Sequence, residues 1–237
     1  MDTTMYDKLL KLPLFQGLSK YDLTVILEKV KIEFRNYKPD ELLVRQDEPC
    51  TELIYLMDGT IKTCTVDNEA HFTLIEMIQG DFLIEPYSLY GIRPFYNATY
   101  RAETEVNVLV VKKKDIIPIL CKYDIFNLNF FNLISNRAQT MQQRLWNTHI
   151  GNSLERIVNF MSMRCATPAG TKILYVTMED LADMLDDTRI NVSRVLNMLQ
   201  DKGLISLSRK VIKMNDLKEL VLLTKNQQVL PDESDKK

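Results

Sequence analysis

The chain lacks any apolar run long enough to cross a membrane, which takes about 18 residues or more, and its first residues lack the charged-then-apolar order of a secretion signal. We therefore expect a soluble, cytoplasmic protein with no membrane among its partners. Its 237 residues, 46% of them hydrophobic, are enough to bury the cores of two domains.

Cysteine and histidine are scarce. No two cysteines have the Cys-x-x-Cys spacing of a zinc ribbon or an iron–sulfur centre, and we expect reduced, buried thiols: Cys50, Cys64, Cys121 and Cys165. An enzyme of the cupin sort would need clustered histidines to hold its metal, whereas this chain has only His71 and His149. Nucleophile-elbow and P-loop patterns are also absent from the sequence. We therefore expect neither enzymatic activity nor a bound metal.

What the first half of the chain does have is a series of short, β-rich runs. A helix over Tyr21–Val30, capped by Ser19, is predicted to precede them. Turn signals such as Asp58-Gly59 and Gly80-Asp81 separate the runs. The predicted strands are Lys31–Tyr37, Leu42–Gln46, Leu53–Met57, Ile61–Val66, His71–Ile78, Asn97–Glu103 and Val106–Val111. Many short strands at this spacing are typical of a β-sandwich or small barrel, and we predict a jelly roll.

Helical periodicity returns after the strands, first over Lys113–Tyr123 and then from Asp124 to about His149. A helix of about 25 residues spans nearly 40 Å. One of its faces carries an apolar stripe suited to a coiled-coil partner: Phe130, Ile134, Ala138, Met141 and Leu145. The stripe could instead pack on the chain's own β domain. Its length and its position between two domains favour pairing with a second copy of the chain.

The stretch from Thr177 to Ile205 has the periodicity of two short helices joined by a tight link. Thr177 and Thr188 supply capping hydroxyls, and the link Asp186-Asp187 leaves room only for a sharp turn. The apolar stripes of the two helices are Leu181, Ala182 and Leu185, then Val192, Val195, Leu196 and Leu199. This is the helix-turn-helix pattern, in which the second helix can enter the DNA major groove.

The outward face of the second helix suits DNA. It carries Arg189, Asn191, Ser193, Arg194 and Asn197. Arginine can bridge guanine, asparagine can bridge adenine, and serine can bind phosphate. The segments Leu204–Ser208 and Lys210–Met214 then predict a small hairpin with a basic tip, which makes the motif a winged helix. An ordinary helical hairpin with a solvated polar face is the alternative.

Charge is distributed in agreement with DNA binding. The whole chain has a formal net charge of only -2. From Thr188 to Lys213, however, six basic residues stand against Asp201 alone, a local 6 − 1 = +5, whereas the preceding helix and turn carry five acidic residues and no base. A basic face beside an acidic scaffold fits one-sided contact with phosphates of double-stranded DNA.

Taken in order, these parts resemble the family of the cyclic-AMP receptor protein and the fumarate–nitrate reduction regulator, the Crp/Fnr family. The motifs that carry the resemblance are Leu12-Pro13-Leu14-Phe15-Gln16-Gly17-Leu18-Ser19, Tyr55-Leu56-Met57-Asp58-Gly59-Thr60-Ile61-Lys62, Gly80-Asp81-Phe82 and Thr188-Arg189-Ile190-Asn191-Val192-Ser193-Arg194-Val195-Leu196. The resemblance implies an α+β homodimeric transcription regulator with RNA polymerase among its partners. Its expected parts are a cyclic-nucleotide-binding-like effector or sensor barrel (residues 1–123), a dimerisation helix (124–149), a winged helix-turn-helix domain (150–224) and a polar tail (225–237).

The sequence departs from this family where a cyclic nucleotide would bind. The family's Gly-Glu-Leu reads Ile84-Glu85-Pro86 here, and its Arg-Ser-Ala reads Tyr96-Asn97-Ala98. Glu85, Tyr96 and Asn97 would then line the effector pocket, with a tyrosine in place of the arginine that binds the phosphate. A cyclic phosphodiester needs that bidentate cation. We therefore predict that cyclic AMP does not bind, and the residues also disfavour haem and an iron–sulfur cluster.

The recognition helix keeps most of the family pattern. Arg189, Ser193 and Arg194 match family positions, and the two arginines match those that read base edges or phosphates. Ile190 stands where the cyclic-AMP receptor type has a glutamate. Isoleucine cannot accept a hydrogen bond from cytosine but can pack on a thymine methyl. The expected DNA-binding residues are Thr188, Arg189, Ile190, Asn191, Ser193, Arg194, Arg209 and Lys210. The alternative function is a sensor of an unidentified small molecule that acts through protein contacts.

Overall fold

The computed structural model describes residues 9–10, 12–146 and 151–227. Contacts divide the chain into two compact units: residues 1–61 with 79–140, and residues 62–78 with 141–237. The chain therefore passes from one unit to the other at three places, between residues 61 and 62, 78 and 79, and 140 and 141. Among the helices of the described ranges, none is long and apolar enough to cross a membrane.

The elements alternate between strand-rich and helical regions along the chain. The described strands are β1 (Glu33–Tyr37), β2 (Leu42–Val44), β3 (Glu52–Asp58), β4 (Thr60–Asp67), β5 (Phe72–Gln79), β6 (Phe82–Ile84), β7 (Thr99–Ala102), β8 (Val106–Lys112), β9 (Lys172–Tyr175), β10 (Ile205–Ser208) and β11 (Val211–Met214). The described helices are α1 (Lys20–Lys29), α2 (Lys113–Ile116), α3 (Asp124–Trp146), α4 (Ser153–Arg164), α5 (Met178–Leu185), α6 (Arg189–Asp201) and α7 (Leu217–Gln227). Every predicted strand is present, and β6 and α7 were not predicted.

The first unit is built on an antiparallel sheet with the strand order β1-β8-β3-β6. The two central strands, β3 and β8, are buried along most of their length because their side chains are apolar on both faces. In the same unit β2 pairs antiparallel with β7, Leu42 lying opposite Arg101. Helix α1 begins as predicted after Ser19, whose hydroxyl oxygen accepts a hydrogen bond from the Asp22 amide at 3.0 Å.

The prediction of one continuous helix over Lys113–Tyr123 is wrong. Only α2 and a single 3-10 turn, Leu120–Lys122, form there. Pro118 lies between them, and proline lacks the backbone N–H that would continue the helical hydrogen bonds. His71, predicted to begin a strand, lies instead in the turn before β5 with a left-handed φ of 53°. His149 lies outside the described residues, as does most of the predicted polar tail.

Helix α3 contacts its own unit through the first of the stripe residues. Phe130 is 8% exposed and stacks on Phe126 with ring centroids 6.4 Å apart, and Phe126 in turn meets Phe15. Phe130 therefore belongs to the core of the first unit, and it is the adjacent Phe131, 59% exposed, that points outward. Ile134, Ala138, Met141 and Leu145 are half-buried or exposed along the same helix.

The second unit joins the winged helix to a hairpin that comes from the first half of the chain. Its strands run in the order β10-β11-β9-β5, with β4 beside β5. Helices α4, α5, α6 and α7 cover a core that includes Phe72 and Leu74 of β5. Glu76 of β5 lies opposite Lys172 of β9 in the ladder, and their buried side chains form an ion pair at 3.1 Å. No sequence pattern indicated this pairing.

Candidate nucleic-acid interface

The two helices of the motif start and stop where capping chemistry requires. The Thr177 hydroxyl accepts from the Asp180 amide at 3.1 Å, and the Thr188 hydroxyl accepts from the Asn191 amide at 3.2 Å. Between them Asp186 adopts a left-handed conformation with φ 49°, which ends α5 and reverses the chain. The predicted helix-turn-helix geometry is therefore present.

Side chains from α4 fix this turn. Arg156 donates from Nη1 to the Asp186 carbonyl oxygen at 2.7 Å, and the Ser153 hydroxyl donates to the Asp187 carboxylate. The Ser153 hydrogen bond is the main cause that holds the pKa of the Asp187 carboxyl below its usual value. Asn191 Nδ2 also donates to Asp187, at 3.0 Å. The start of α6 is thus anchored to the body of the second unit.

Helix α6 separates a buried face from an exposed one. Val192, Leu196 and Leu199 are fully buried, as predicted. On the other side Ile190 is 72% exposed, and Arg194 is exposed as well. Ser193 is half-buried beside them.

Two of the predicted DNA-binding residues also hold the structure together. The Thr188 hydroxyl caps α6, and the Asn191 amide side chain is engaged by Asp187. This hydrogen bond uses one of the two N–H groups of Asn191 Nδ2 and restricts the orientation of the amide. The sequence could not show this, because the same residue types cap helices and contact nucleic acid.

The hairpin of β10 and β11 forms the wing of the motif. A cleft of about 360 Å³ lies between the start of α6 and this wing. Arg189, Lys210 and Ser208 line it, together with Thr177 and Glu179. Arg189 Nη1 contacts Glu179 Oε1 at 3.2 Å, and both side chains are exposed. From the sequence alone, Glu179 belongs with the acidic residues of the preceding helix. In the structure its carboxylate contacts Arg189, the first residue of α6.

The wing turn presents its basic residues to solvent. Arg209 and Lys210 join β10 to β11, and both are exposed. Lys210 adopts a left-handed φ of 61°, and its carbonyl oxygen accepts a hydrogen bond from the Val176 amide at 3.0 Å. This bond ties the turn to the chain just before α5. Lys210 and Arg189 therefore share one cleft, as a continuous phosphate-contacting surface would need.

The predicted effector residues lie in the first unit, and only two of them meet. Glu85 and Asn97 are hydrogen-bonded at 2.8 Å. Tyr96 is buried, and its hydroxyl donates to the Glu52 carbonyl oxygen at 3.3 Å. Burial raises the pKa of the Tyr96 phenol, and burial likewise raises the pKa of the Cys50 thiol. Two arginines, Arg93 and Arg101, lie nearby in the sequence, and both are exposed. Arg101 donates to the Asp40 carbonyl oxygen at 3.1 Å.

Comparison with known proteins agrees with this arrangement. A family model described as the Crp-like helix-turn-helix domain matches residues 155–223, and one described as the cyclic nucleotide-binding domain matches residues 34–123. The cAMP-activated global transcriptional regulator CRP of Salmonella typhimurium is 24% identical over 183 residues, covering 74% of this chain and 86% of that protein. Its counterpart in Pasteurella multocida is 23% identical over 183 residues, covering 74% of this chain and 87% of that protein.

Solved structures that align with this chain include the catabolite activator protein of Thermus thermophilus. It aligns with a TM-score of 0.49 at 16% sequence identity, over 90% of this chain and 99% of that one. DNR from Pseudomonas aeruginosa aligns with a TM-score of 0.46 at 20% identity, over 94% of this chain and 98% of that one.

An N-terminal β domain of the cyclic-nucleotide-binding kind, the long helix α3 and a C-terminal helix-turn-helix define an α+β transcription regulator that binds DNA and is not an enzyme. The chain belongs to the Crp/Fnr family, since both of that family's domains are matched in the family's order.

Proposed function

We propose that the protein binds an inverted-repeat operator as a homodimer, that it acts on RNA polymerase from there, and that its β domain does not bind cyclic AMP. The observation that carries the DNA-binding half is the exposed face shared by the first turns of α6 and the wing turn. Two such faces on a two-fold axis would meet successive major grooves about 34 Å apart, which makes the operator an inverted repeat.

The side-chain chemistry of each residue on this face suggests whether it contacts a base or a phosphate. Arg194 and Ile190 are proposed to reach base edges, since they are exposed in the first two turns of α6. Phosphate contacts are proposed for the residues around the cleft, the helix start and the wing: Thr188, Arg189, Ser193, Arg209 and Lys210. Asn191 is proposed to contact DNA with its amide oriented by the hydrogen bond to Asp187.

Selection of binding sites from random duplex DNA tests the operator. We expect an inverted repeat, with a thymine recovered at the base step that faces Ile190. The matched variant is Ile190→Glu, which restores a hydrogen-bond acceptor and should move the preference at that step to cytosine, whose N4 donates. Recovery of the same half-site by both proteins, or of no repeat at all, contradicts the proposal.

Arg194→Ala should weaken binding to the selected operator. The expected loss is about 1–3 kcal/mol if the guanidinium bridges a base, with relaxed preference at that base only. A fluorescence anisotropy titration on the operator and on single-base variants measures both effects. Gln200→Ala, at an exposed position near the C-terminal end of α6, is the control. Equal losses on every sequence would instead assign Arg194 to phosphate, and no loss would contradict docking by α6.

The dimer half of the proposal is supported by α3. Its exposed and half-buried apolar side chains include Phe131, Ile134, Ala138 and Met141. Helix α3 is accordingly proposed as the dimerisation helix between an effector domain and a winged-helix domain. Residues 147–149 of the predicted helix lie outside the described residues. The hairpin of residues 62–78 falls within the proposed effector domain by sequence but within the second unit by contacts.

Isothermal titration calorimetry of the wild-type protein with cyclic AMP tests the proposal that the β domain does not bind this nucleotide. We expect no measurable heat of binding, because buried Tyr96 replaces the arginine, Arg101 is bonded to the Asp40 carbonyl, and Arg93 is exposed. A micromolar dissociation constant that disappears in Arg93→Ala or Arg101→Ala would show that a guanidinium does reach the phosphate.

A further inference from the structure

Hydrogen-bond donors converge on one buried carboxylate of the first unit. Glu85 is 2% exposed. Its Oε1 accepts from the Asn97 amide at 3.0 Å, from the Ala98 amide at 3.1 Å and from the Tyr100 hydroxyl at 3.1 Å. Its Oε2 accepts from Ser88 Oγ at 2.9 Å, and from the Asn97 amide and Nδ2 at 2.8 Å each. Both oxygens therefore have their acceptor positions filled, since a carboxylate offers about four lone-pair sites.

The donors around this carboxylate are all neutral. Among the residues that the structure describes, no ion pair within 4.0 Å includes Glu85. A negative charge removed from water is costly unless donors replace its hydration. Backbone amides, hydroxyls and a side-chain amide that point at one spot do replace it, in the manner of protein sites that bind free anions.

The backbone at this position is bent to bring the side chain inward. Glu85 has φ 36° and ψ 55°, a left-handed conformation that residues with a side chain seldom adopt. It stands at the junction of β6 and the 3-10 turn Pro86–Ser88, and Ser88 of that turn is one of the donors. The strained junction and the filled donor set together make this a built site.

We propose that these donors form an anion-binding cradle and that the Glu85 carboxylate is its permanent, built-in anion. An acidic effector, whether a small carboxylate or a phosphate ester, could use these donors only by displacing Glu85. This inference deepens the proposed failure to bind cyclic AMP. It adds a second reason to the missing arginine, since both oxygens of the carboxylate already accept hydrogen bonds from the chain itself.

Chemical rescue tests the cradle in the full-length protein. Glu85→Ala removes the equivalent of one acetate ion and retains Cβ, so the amides of Asn97 and Ala98 lose their acceptor. We expect its melting temperature to fall by at least about 5 °C, because several buried donors become unsatisfied. Sodium acetate should restore much of this loss in a saturable way, whereas acetamide, the neutral molecule of the same shape, should not. Glu103→Ala, at an exposed carboxylate of the same unit, is the control and should respond to neither.

Two outcomes overturn the proposal: an unchanged melting temperature in Glu85→Ala, or a lowered one that acetate and acetamide affect equally. If Glu85→Ala does not fold, Glu85→Gln decides the question. Glutamine fills the space without the charge and turns an NH₂ group toward donors, so its melting temperature should fall and acetate should not help. Wild-type stability in Glu85→Gln would show that no anion is required. These assays contain neither DNA nor nucleotide, so they can fail while the proposed DNA function stands, and the calorimetry with cyclic AMP can fail while the cradle stands.

Discussion

At the scale of single residues, Arg189 of the recognition helix has an acidic partner in the free protein. Its guanidinium contacts the Glu179 carboxylate at 3.2 Å, and both side chains are largely exposed. An ion pair this open to water contributes only about 0–1 kcal/mol, so DNA can break it easily. The unpaired Glu179 would then face the phosphates with a negative charge. Glu179 thus opposes the contact that Arg189 is proposed to make.

Glu179→Gln should therefore strengthen DNA binding. We expect the dissociation constant to fall several-fold at low salt. The slope of log K against log salt should steepen by up to about 0.9, because the charge of Glu179 no longer offsets that of Arg189 at the phosphate. Anisotropy titrations at several salt concentrations measure both quantities. Asp183→Asn removes the same charge from an exposed position of the same helix and is the control for the overall field. Identical behaviour of the two variants would contradict a specific role for Glu179.

The sequence predicts which residue types lie on α6 and on the wing, because burial of an apolar stripe decides which side chains remain outside. Partners that meet only after folding are beyond such reasoning. Glu85 was predicted to face a ligand, yet its partners are Ser88, Asn97, Ala98 and Tyr100 of its own chain. A sequence motif identifies the carboxylate, but it does not identify the groups that donate hydrogen bonds to it.

At the scale of elements, adjacent phenylalanines of α3 have opposite environments. Phe130 and Phe131 both precede Ile134, Ala138 and Met141 at spacings compatible with one helical stripe. The structure distinguishes them, since Phe130 stacks on Phe126 and Phe131 is exposed. An exposed aromatic at the head of an apolar stripe is what a paired helix would bury. Phe131 replaces Phe130 in the proposed dimer face.

Phe131→Ala should weaken the dimer and leave the fold intact. Burying a phenylalanine contributes about 1.5–3 kcal/mol, and a two-fold interface loses two of them. We expect the dimer dissociation constant from sedimentation equilibrium to rise by 100-fold or more (about 2.7 kcal/mol or more). Asn132→Ala, at the next position of the helix and also exposed, should leave it unchanged. If Phe131→Ala matches this control, α3 does not pair through this face.

Element boundaries were predictable wherever a local signal exists. Ser19, Asn152, Thr177 and Thr188 all cap helices through their side chains, and each could be read from the sequence. Strand β6 was missed because three residues are too short to display a period. The interruption of the helix at Pro118 could have been found, since proline inside a helical pattern breaks it.

At the scale of the whole molecule, the domain boundaries predicted from the sequence differ from the two units that the contacts define. The sequence predicts a β domain that ends at residue 123, whereas residues 62–78 belong to the unit that holds the winged helix. The cause is the ladder between β5 and β9, in which Thr73 lies opposite Tyr175 and Glu76 opposite Lys172. A pairing between strands so far apart in sequence has no local signature, because periodicity reports burial and not partners.

The ion pair in this ladder is fully enclosed, with the side chains of Lys172 and Glu76 exposed by 0% and 4%. Lys172 Nζ also donates to the Ala169 carbonyl oxygen at 2.7 Å, and both Glu76 carboxylate oxygens accept from the Ala166 amide, at 3.0 and 3.1 Å. Strand β9 pairs on its other side with β11 of the wing. The pair therefore connects the hairpin of residues 62–78 to β9, the strand that pairs with β11 of the wing.

Removing either charge alone should loosen this connection. Glu76→Gln keeps an acceptor for the Ala166 amide but leaves the Lys172 cation unpaired, and Lys172→Met leaves the Glu76 anion unpaired. Each should cost about 3–5 kcal/mol of unfolding free energy, raise hydrogen exchange in β5 and weaken DNA binding through the wing. The double variant Glu76→Gln/Lys172→Met contains neither charge and should recover most of the loss in all three measurements. Urea denaturation, peptide-level exchange and anisotropy on the operator complete the double-mutant cycle. Losses that simply add would show that the two residues act independently and that the hairpin is not held to the wing by their pairing.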